Sequence, residues 1–404
     1  MCVIDRMSAG RRSTLGSRGV LCALILGVML TACDVFDATN PTAVTEEDLS
    51  NPAVQEALVF GVMGLYDRAN LWVVRHTGLL SEELIGAGSW ESYHQASRQG
   101  VIINDVPTPQ QIPRDLWNSL HPTRYLAEET YERLQESLPN PDADEKVAIV
   151  RLYAGLTYLD FAELFCAATY DGGPAVQPEE SYNIAEDRLE DAIRVAEAAG
   201  TESTAAMARL ARARISLARG DFEAARGHAA GIPDGFRWEA HYASREGETN
   251  ELFPALNQQR HATVHPNFHA IEDPRIPVEE AGTRGPDGDT PIWNQLKYTL
   301  GSNIAIGTWQ EARLIEAEAH LIAHELDHAV ERINEVRTAA GLDPIDGSVD
   351  EEGVWAALRH ERKAELFLEG SHHYVDRRRW DLLPEGWATC VPIVIDEVQS
   401  NPNL

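Results

Sequence analysis

Basic residues are the first thing this chain is short of: 34 Lys and Arg stand against 64 Asp and Glu in 404 residues, a formal net charge of −30. A surface so acidic repels phosphate polymers and argues against nucleic acid as a partner, while leaving neutral ligands open. Cysteine is scarce too, with Cys2, Cys22, Cys33, Cys166 and Cys390 the full set. That excludes a disulfide-dense scaffold. Among specific catalytic and cofactor signatures, no G-x-S-x-G, P-loop or G-x-G-x-x-G occurs, and the one H-E-x-x-H, His324 to His328, straddles a hairpin turn that breaks the shared helical face such a motif needs. Ser81-Glu82-Glu83 and Asp160-Phe161-Ala162-Glu163 supply paired acids, but in so acidic a chain that is ordinary, and the expectation is a protein that is not an enzyme and needs no cofactor. Past residue 33, no apolar run approaches the roughly 20 residues that a membrane helix needs.

What is present begins at the amino terminus. Arg6, Arg11, Arg12 and Arg18 precede an apolar run from Gly19 to Leu30, which stops at Leu30-Thr31-Ala32-Cys33. A basic start, a short apolar stretch and small residues before a cysteine make a lipoprotein signal over residues 1–32, counted from Met1 or from Met7. Cys33 is then the lipidated residue. Several acyl chains, at about 0.8 kcal/mol per buried CH₂, anchor a protein where one would not. Loss of the signal leaves 30 basic and 63 acidic residues, net −33. Residues 33–45 read as a polar leader between lipid and domain, and residues 46–404 as one body. Asp34 sits where some bacteria encode retention at the inner membrane. Cys166 and Cys390 are left either as one disulfide or as two buried thiols.

Helical periodicity dominates the body: Glu46–Leu71, Asp115–Ser137, Ala143–Phe165, Ala185–Ala199, Ser203–Arg219, Phe222–Ala230, Thr308–His324, Asp327–Ala340 and Glu351–Glu369. Ala-rich stretches such as Ala205–Arg214 suit close helix packing. Near 204–232 and 308–341 the small-residue and turn spacing fits tetratricopeptide-type hairpins, irregular and separated by long loops. The spacing therefore predicts an all-α scaffold with little strand. Residues 80–113 and 237–302 lack periodicity, and loops so long usually carry function.

Candidate ligand contacts come from aromatics in or beside those segments: Trp72, Trp90, Tyr93 and Trp293, with Asn294 as a polar neighbour. A sugar ring offers C–H groups that stack on an aromatic face, and amide or carboxylate side chains bond its hydroxyls. Taken singly, each aromatic is better read as a loop anchor; as a cluster they point to a glycan site. His320, His324 and His328 have metal-like spacing, but the hairpin turn falls between the last two, so no metal is assigned.

The C-terminal quarter is the most specific. Glu311-Ala312-Arg313, Glu316, Glu318-Ala319, then Arg332 to Arg337 and Gly341-Leu342, then Glu361-Arg362, Glu365 and Glu369-Gly370 resemble, in order and spacing, the SusD/RagB family of nutrient-binding outer-membrane lipoproteins. The ending, Val391-Pro392-Ile393 through Glu397 to Asn401-Pro402-Asn403, is similar as well, and so are Asn40-Pro41, Thr45 to Leu49 and Ser81 to Leu84. After Gly370 the family carries an Arg two residues on and an Asp five on, where this chain has His372 and Val375, with the acid at Asp376. Glu361, Glu365 and Glu369 fall on one helical face by i, i+4 spacing, and Arg337, Arg362 or Arg377 to Arg379 could pair with them as structural ion pairs. The resemblance implies a lipid-anchored protein at the outer membrane, on the cell surface, that binds oligosaccharides or other large nutrients and delivers them to a SusC-like TonB-dependent transporter. The alternative is a tetratricopeptide-type scaffold lipoprotein for envelope assembly with no small ligand.

Overall fold

The computed structural model describes residues 51–102, 111–346 and 348–404. The signal, Cys33, the leader and the start of the domain at residue 46 lie outside the described residues. Side-chain caps decide where many helices begin. Asn51 Oδ1 accepts from the Ala53 N–H at the head of α1 (Pro52–Leu80), with Pro52 at the first position, where no N–H is needed. After β1 (Leu84–Gly86) come α2 (Glu91–Gln99) and α3 (Gln111–Ser137). Asp144 then caps α4 (Glu145–Leu164), which is buried on every side from Val150 to Leu164, its Arg151, Asp160 and Glu163 included. Next are α5 (Pro178–Ala199), α6 (Glu202–Ala218) and α7 (Phe222–Ala229), the last capped by Asp221. The packing of α4 on α5 needs Gly155, where a Cβ would come within 2.6 Å of the Leu189 side chain.

The middle of the chain is a set of short strands, β2 (Arg237–Ala240), β3 (Ala262–Val264), β4 (Val278–Arg284), β5 (Pro291–Gln295) and β6 (Ile304–Thr308), with the one-turn helix α8 (Pro266–His269) after β3. They form antiparallel pairs: β1 with β3 (Ile85 opposite Thr263), β2 with β6, and β4 with β5. Thr308 caps α9 (Trp309–Ile322), followed by α10 (Leu326–Ala339), α11 (Glu351–Glu365), α12 (His372–Arg379) and α13 (Ile395–Ser400). Helix α7 packs against α9, and α10 and α11 close a further core around Leu314, Ile333 and Leu358.

The described residues are mostly helical and their sheets are two-stranded, as the periodicity predicts. Four details differ from the sequence reading. Residues 80–113 and 237–302 are not plain loops, since they supply α2 and most of the strands. Helix α1 runs on past Leu71 to Leu80, so Trp72 is helical. By length and composition α1 could cross a membrane, yet half of its most apolar stretch is buried and Asp67, Asn70, Arg75 and His76 face the interior, which makes it a core helix. Finally, Glu351–Glu369 is not one helix. It ends at Glu365, and Leu368 and Gly370 adopt left-handed φ values of 54° and 61°.

That last break has a physical cause. The Leu368 N–H donates to the Glu83 carboxylate at 3.0 Å, and its carbonyl accepts from the Tyr298 hydroxyl at 3.2 Å. Those long-range bonds replace the next helical turn, and Glu369 leaves the face shared by Glu361 and Glu365. The two remaining cysteines form a disulfide, Cys166 to Cys390, with Cα atoms 5.0 Å apart. Around it the chain end is tied to the turn after α4: Cys166 N–H donates to Val391 O at 2.9 Å, Thr169 to Glu397 at 2.7 Å, and Asn401 Nδ2 to Gly173 O at 2.9 Å.

Candidate functional site

Trp72 on α1 comes together with Trp90 and Tyr93 at the head of α2. Helix α1 brings Trp72 and, one turn on, His76, whose rings lie nearly parallel with centroids 5.4 Å apart. His76 meets the edge of Tyr93 at 5.7 Å, Tyr93 meets Trp90 at 5.0 Å, and Trp90 stacks flat on His261 at 4.0 Å. The result is a continuous row of rings from α1 to the start of β3. Tyr93 is fully buried in it, so it supports Trp90 and presents no face of its own. Burial lifts its hydroxyl to about 12, with Arg75 pulling the other way. His76 is held neutral by burial although its Nε2 lies 3.0 Å from Asp115.

Trp293 sits beyond β3. Its N–H donates to Thr263 Oγ1 at 2.6 Å, that hydroxyl donates back to the Trp293 carbonyl at 3.0 Å, and its indole stacks on His269 at 4.0 Å with planes 2° apart. Half-buried Trp90 and Trp293 therefore both key onto the short segment from His261 to Thr263. Beside Trp293 and His269 opens a cleft of about 440 Å³, with Ile85 and Val264 in its walls and Arg98, Glu280 and Asp289 as its charged groups. That volume lies within the roughly 300–1,000 Å³ of ligand pockets. Arg98 is fixed by the Gly86 carbonyl at 3.1 Å and Thr290 Oγ1 at 2.7 Å.

Asn294 is not brought to this cleft. Successive strand residues point to opposite faces, so Asn294 turns away from Trp293 and places its Nδ2 3.4 Å from Glu279. Glu280, opposite Trp293 in the β4–β5 pair, takes the polar position.

The acids weighed for catalysis are committed elsewhere. Glu82 pairs with Arg377, and Glu83 is buried, raised by that burial to about 7 and bonded to Leu368 N–H and Ser81. Asp160 and Glu163 line a chamber of about 10 Å³ with Tyr66, Arg214 and His372, too small for a sugar. The C-terminal motif builds ion pairs: Glu361 is clasped by Arg337 and Arg275, each at 2.6 Å, and Glu369 by Lys297 at 2.8 Å. Arg362 turns to Asp376, with bonds of 2.6 and 2.9 Å, and Asp376 also takes Arg379 at 2.7 Å. The acid one place later than the family pattern thus still has two guanidinium partners.

Residues 311–403 match the sequence model of the SusD family. A SusD superfamily protein from Bacteroides thetaiotaomicron VPI-5482 superposes with a TM-score of 0.67 at 16% identity, covering 88% of this chain and 98% of its own. The C-terminal segment matches the SusD family in sequence, and the chain shares the fold of SusD superfamily proteins. A SusD superfamily protein from Bacteroides vulgatus ATCC 8482 superposes with a TM-score of 0.64 at 14% identity, covering 87% and 97%. A laminarin-binding SusD-like protein does so with 0.68 at 16%, covering 88% and all of that chain. No curated protein sequence matches significantly.

Within this SusD-like fold, sequence reasoning missed His261 and His269, the stacking partners of the two tryptophans, and Arg98 and Glu280 at the cleft. Their only signal was a position inside an aperiodic segment. Nothing local in the sequence says that residue 261 lies against residue 90.

Proposed function

We propose that this protein is a surface lipoprotein, anchored in the outer membrane through Cys33, that captures oligosaccharides or other large nutrients and passes them to a SusC-like TonB-dependent transporter without cleaving them. The observation that carries the reading is the Trp293–His269 cleft, with the Trp90–His261 stack on the other side of the same strand segment. Flat rings braced from behind by a second ring cost little entropy to order, and they suit the C–H faces of a pyranose. Arg98, Glu280 and Asp289 offer donors and acceptors for hydroxyls at the rim. Structural neighbours include a laminarin-binding SusD-like protein and a SusD-like carbohydrate binding protein from Bacteroides vulgatus ATCC 8482, which lends weight to a glycan ligand.

The test is a glycan-array and affinity-gel screen of the mature chain beside a Trp90→Ala, Trp293→Ala double variant. Saturable binding that weakens at least tenfold in the variant is expected. Each lost stacking contact removes about 1 kcal/mol beyond the buried area, so two approach or exceed a factor of ten. Binding untouched by the double substitution would move the site away from this cleft. Gentle solubilisation of membranes should also co-purify a large β-barrel; recovery of free protein alone would count against the transporter partnership. Absence of any glycan binding, with the barrel still attached, would favour the scaffold role.

A further inference from the structure

Five arginines are buried among the described residues: Arg75, Arg124, Arg151, Arg313 and Arg362. Four of them are ion-paired, Arg124 with Asp171, Arg151 with Glu128 and Asp191, Arg313 with Asp234 and Glu316, and Arg362 with Asp376. Arg75 is the exception. It is 7% exposed, has no carboxylate within ion-pair distance among the described residues, and its Nε is buried without a hydrogen-bond partner. In a chain with nearly two acids for each base, leaving this one guanidinium unpaired goes against the composition. An unmatched buried charge costs several kcal/mol, and the usual remedy is an acid close by.

Its neighbours are aromatic. The guanidinium carbon lies 4.9 Å from the Trp72 ring, 5.6 Å from Tyr93 and 5.7 Å from Trp90. Ring faces hold a cation in place, but they accept no hydrogen bonds from the N–H groups in its plane. The open side of Arg75 looks into a cleft of about 110 Å³ bounded by Trp72, Leu71, Leu252, Glu251 and Arg68. Arg68, Trp72 and Arg75 are spaced along one face of α1, so a second, exposed cation stands at the mouth. Glu251 faces them, but its carboxylate is bonded to the Thr249 hydroxyl. The volume is well below the roughly 300 Å³ needed to enclose a whole small ligand, and suits a single substituent.

We propose that this cleft is a subsite for an anionic group on the captured saccharide, a carboxylate or a sulfate ester, which docks on Arg75 while the sugar carrying it lies along the Trp72–Trp90 row. The inference rests on the glycan-capture reading and sharpens it: the preferred ligand is an acidic polysaccharide. A planar guanidinium fits both oxyanions with paired N–H bonds, and a site among rings excludes the water that would weaken them. The local pair of cations also offsets the repulsion that the acidic surface imposes on an anionic ligand.

The mature chain would be run in affinity gels holding polygalacturonate, alginate or carrageenan, each beside its neutralised form, carboxyl-reduced for the first two and desulfated for the third. At least one acidic polymer is expected to retard the protein roughly tenfold to a hundredfold more strongly than its neutralised counterpart, and the polymer that does so distinguishes carboxylate from sulfate. Arg75→Gln should bring the acidic form down to the level of the neutralised one. Because Arg75 is buried, that variant must first be shown to be folded by its denaturation midpoint, while the wild-type comparison decides the point without it. Equal or better binding of the neutralised forms overturns the anionic subsite and leaves glycan capture standing. Retardation by no polymer, acidic or neutral, overturns both.

Discussion

Breaking the Cys166–Cys390 bond should destabilise the protein by about 5 kcal/mol, with little change to the folded structure. The bond joins residues 224 apart in sequence, so in the unfolded chain it closes a very long loop. The chain-entropy relation gives roughly 18 cal/mol/K for a loop of that length, or about 5 kcal/mol at 25 °C. In the folded state the loss is small, because the chain end stays docked without the bond. Backbone bonds join Cys166 to Val391 and Val391 to Leu164, at 2.9 and 2.7 Å, and the Asn401 and Asn403 side chains hold the carbonyls of Gly173 and Gly172. The assay is guanidinium unfolding followed by circular dichroism, comparing oxidised wild type with Cys166→Ala, Cys390→Ala. With an m-value on the order of 5 kcal/mol/M, reasonable for a chain larger than the small domains from which such values come, the midpoint should fall by about 1 M at unchanged native spectrum. A fall below about 0.2 M would refute the loop-entropy argument, and an altered native spectrum would show that the bond shapes the fold as well.

Asp160 is raised to about 8 by burial, with Glu163 adding to the effect, so the folded state keeps a proton that the unfolded chain releases near 3.8. Its contribution is therefore greatest below that value and is lost as pH rises, by about 1.4 kcal/mol per unit up to about 8. Asp160→Asn should accordingly gain stability over wild type at pH 8 relative to pH 5 in urea unfolding; an equal difference at both pH values would rule the explanation out. His372 is pushed down to about 4 by burial, so the opposite limb applies: its contribution is present above 6.5 and is lost as pH falls towards 4. Acid titration of His372→Gln should show a shallower loss between pH 6.5 and 4 than wild type, and parallel curves would reject that assignment. Asp376→Asn strands Arg362 in the core and leaves Arg379 with Glu318 alone, and should cost about 3–5 kcal/mol, read as a lower unfolding midpoint. A loss under about 1 kcal/mol would mean that Glu318, which already holds Arg379, absorbs the charge.

Periodicity alone was enough for the helical class, because a stripe repeating every 3.6 residues can be buried in only one way. Six of the seven expected helices from Asp115–Ser137 to Asp327–Ala340 recur within four residues of both predicted ends, the exception starting seven residues before Ala185, and the caps at Asp144, Asp221, Thr308 and Asp350 are local signals of the same kind. The sequence could not end the Glu351 helix at Glu365. That stop is set by Glu83 and Tyr298, which are about 285 and 70 residues away along the chain. It likewise named Trp72, Trp90, Tyr93 and Trp293 as aromatics outside the expected helices, but gave no means of ranking a sealed ring such as Tyr93 against a half-buried one such as Trp293.

The division has one physical source. Helix type and cap position depend on neighbours within a turn or two of chain, so the residue order settles them. Which ring backs which, whether Cys166 meets Cys390, and the absence of an acid beside Arg75 all depend on pairs far apart in sequence, selected only when the helices and the short strands pack together.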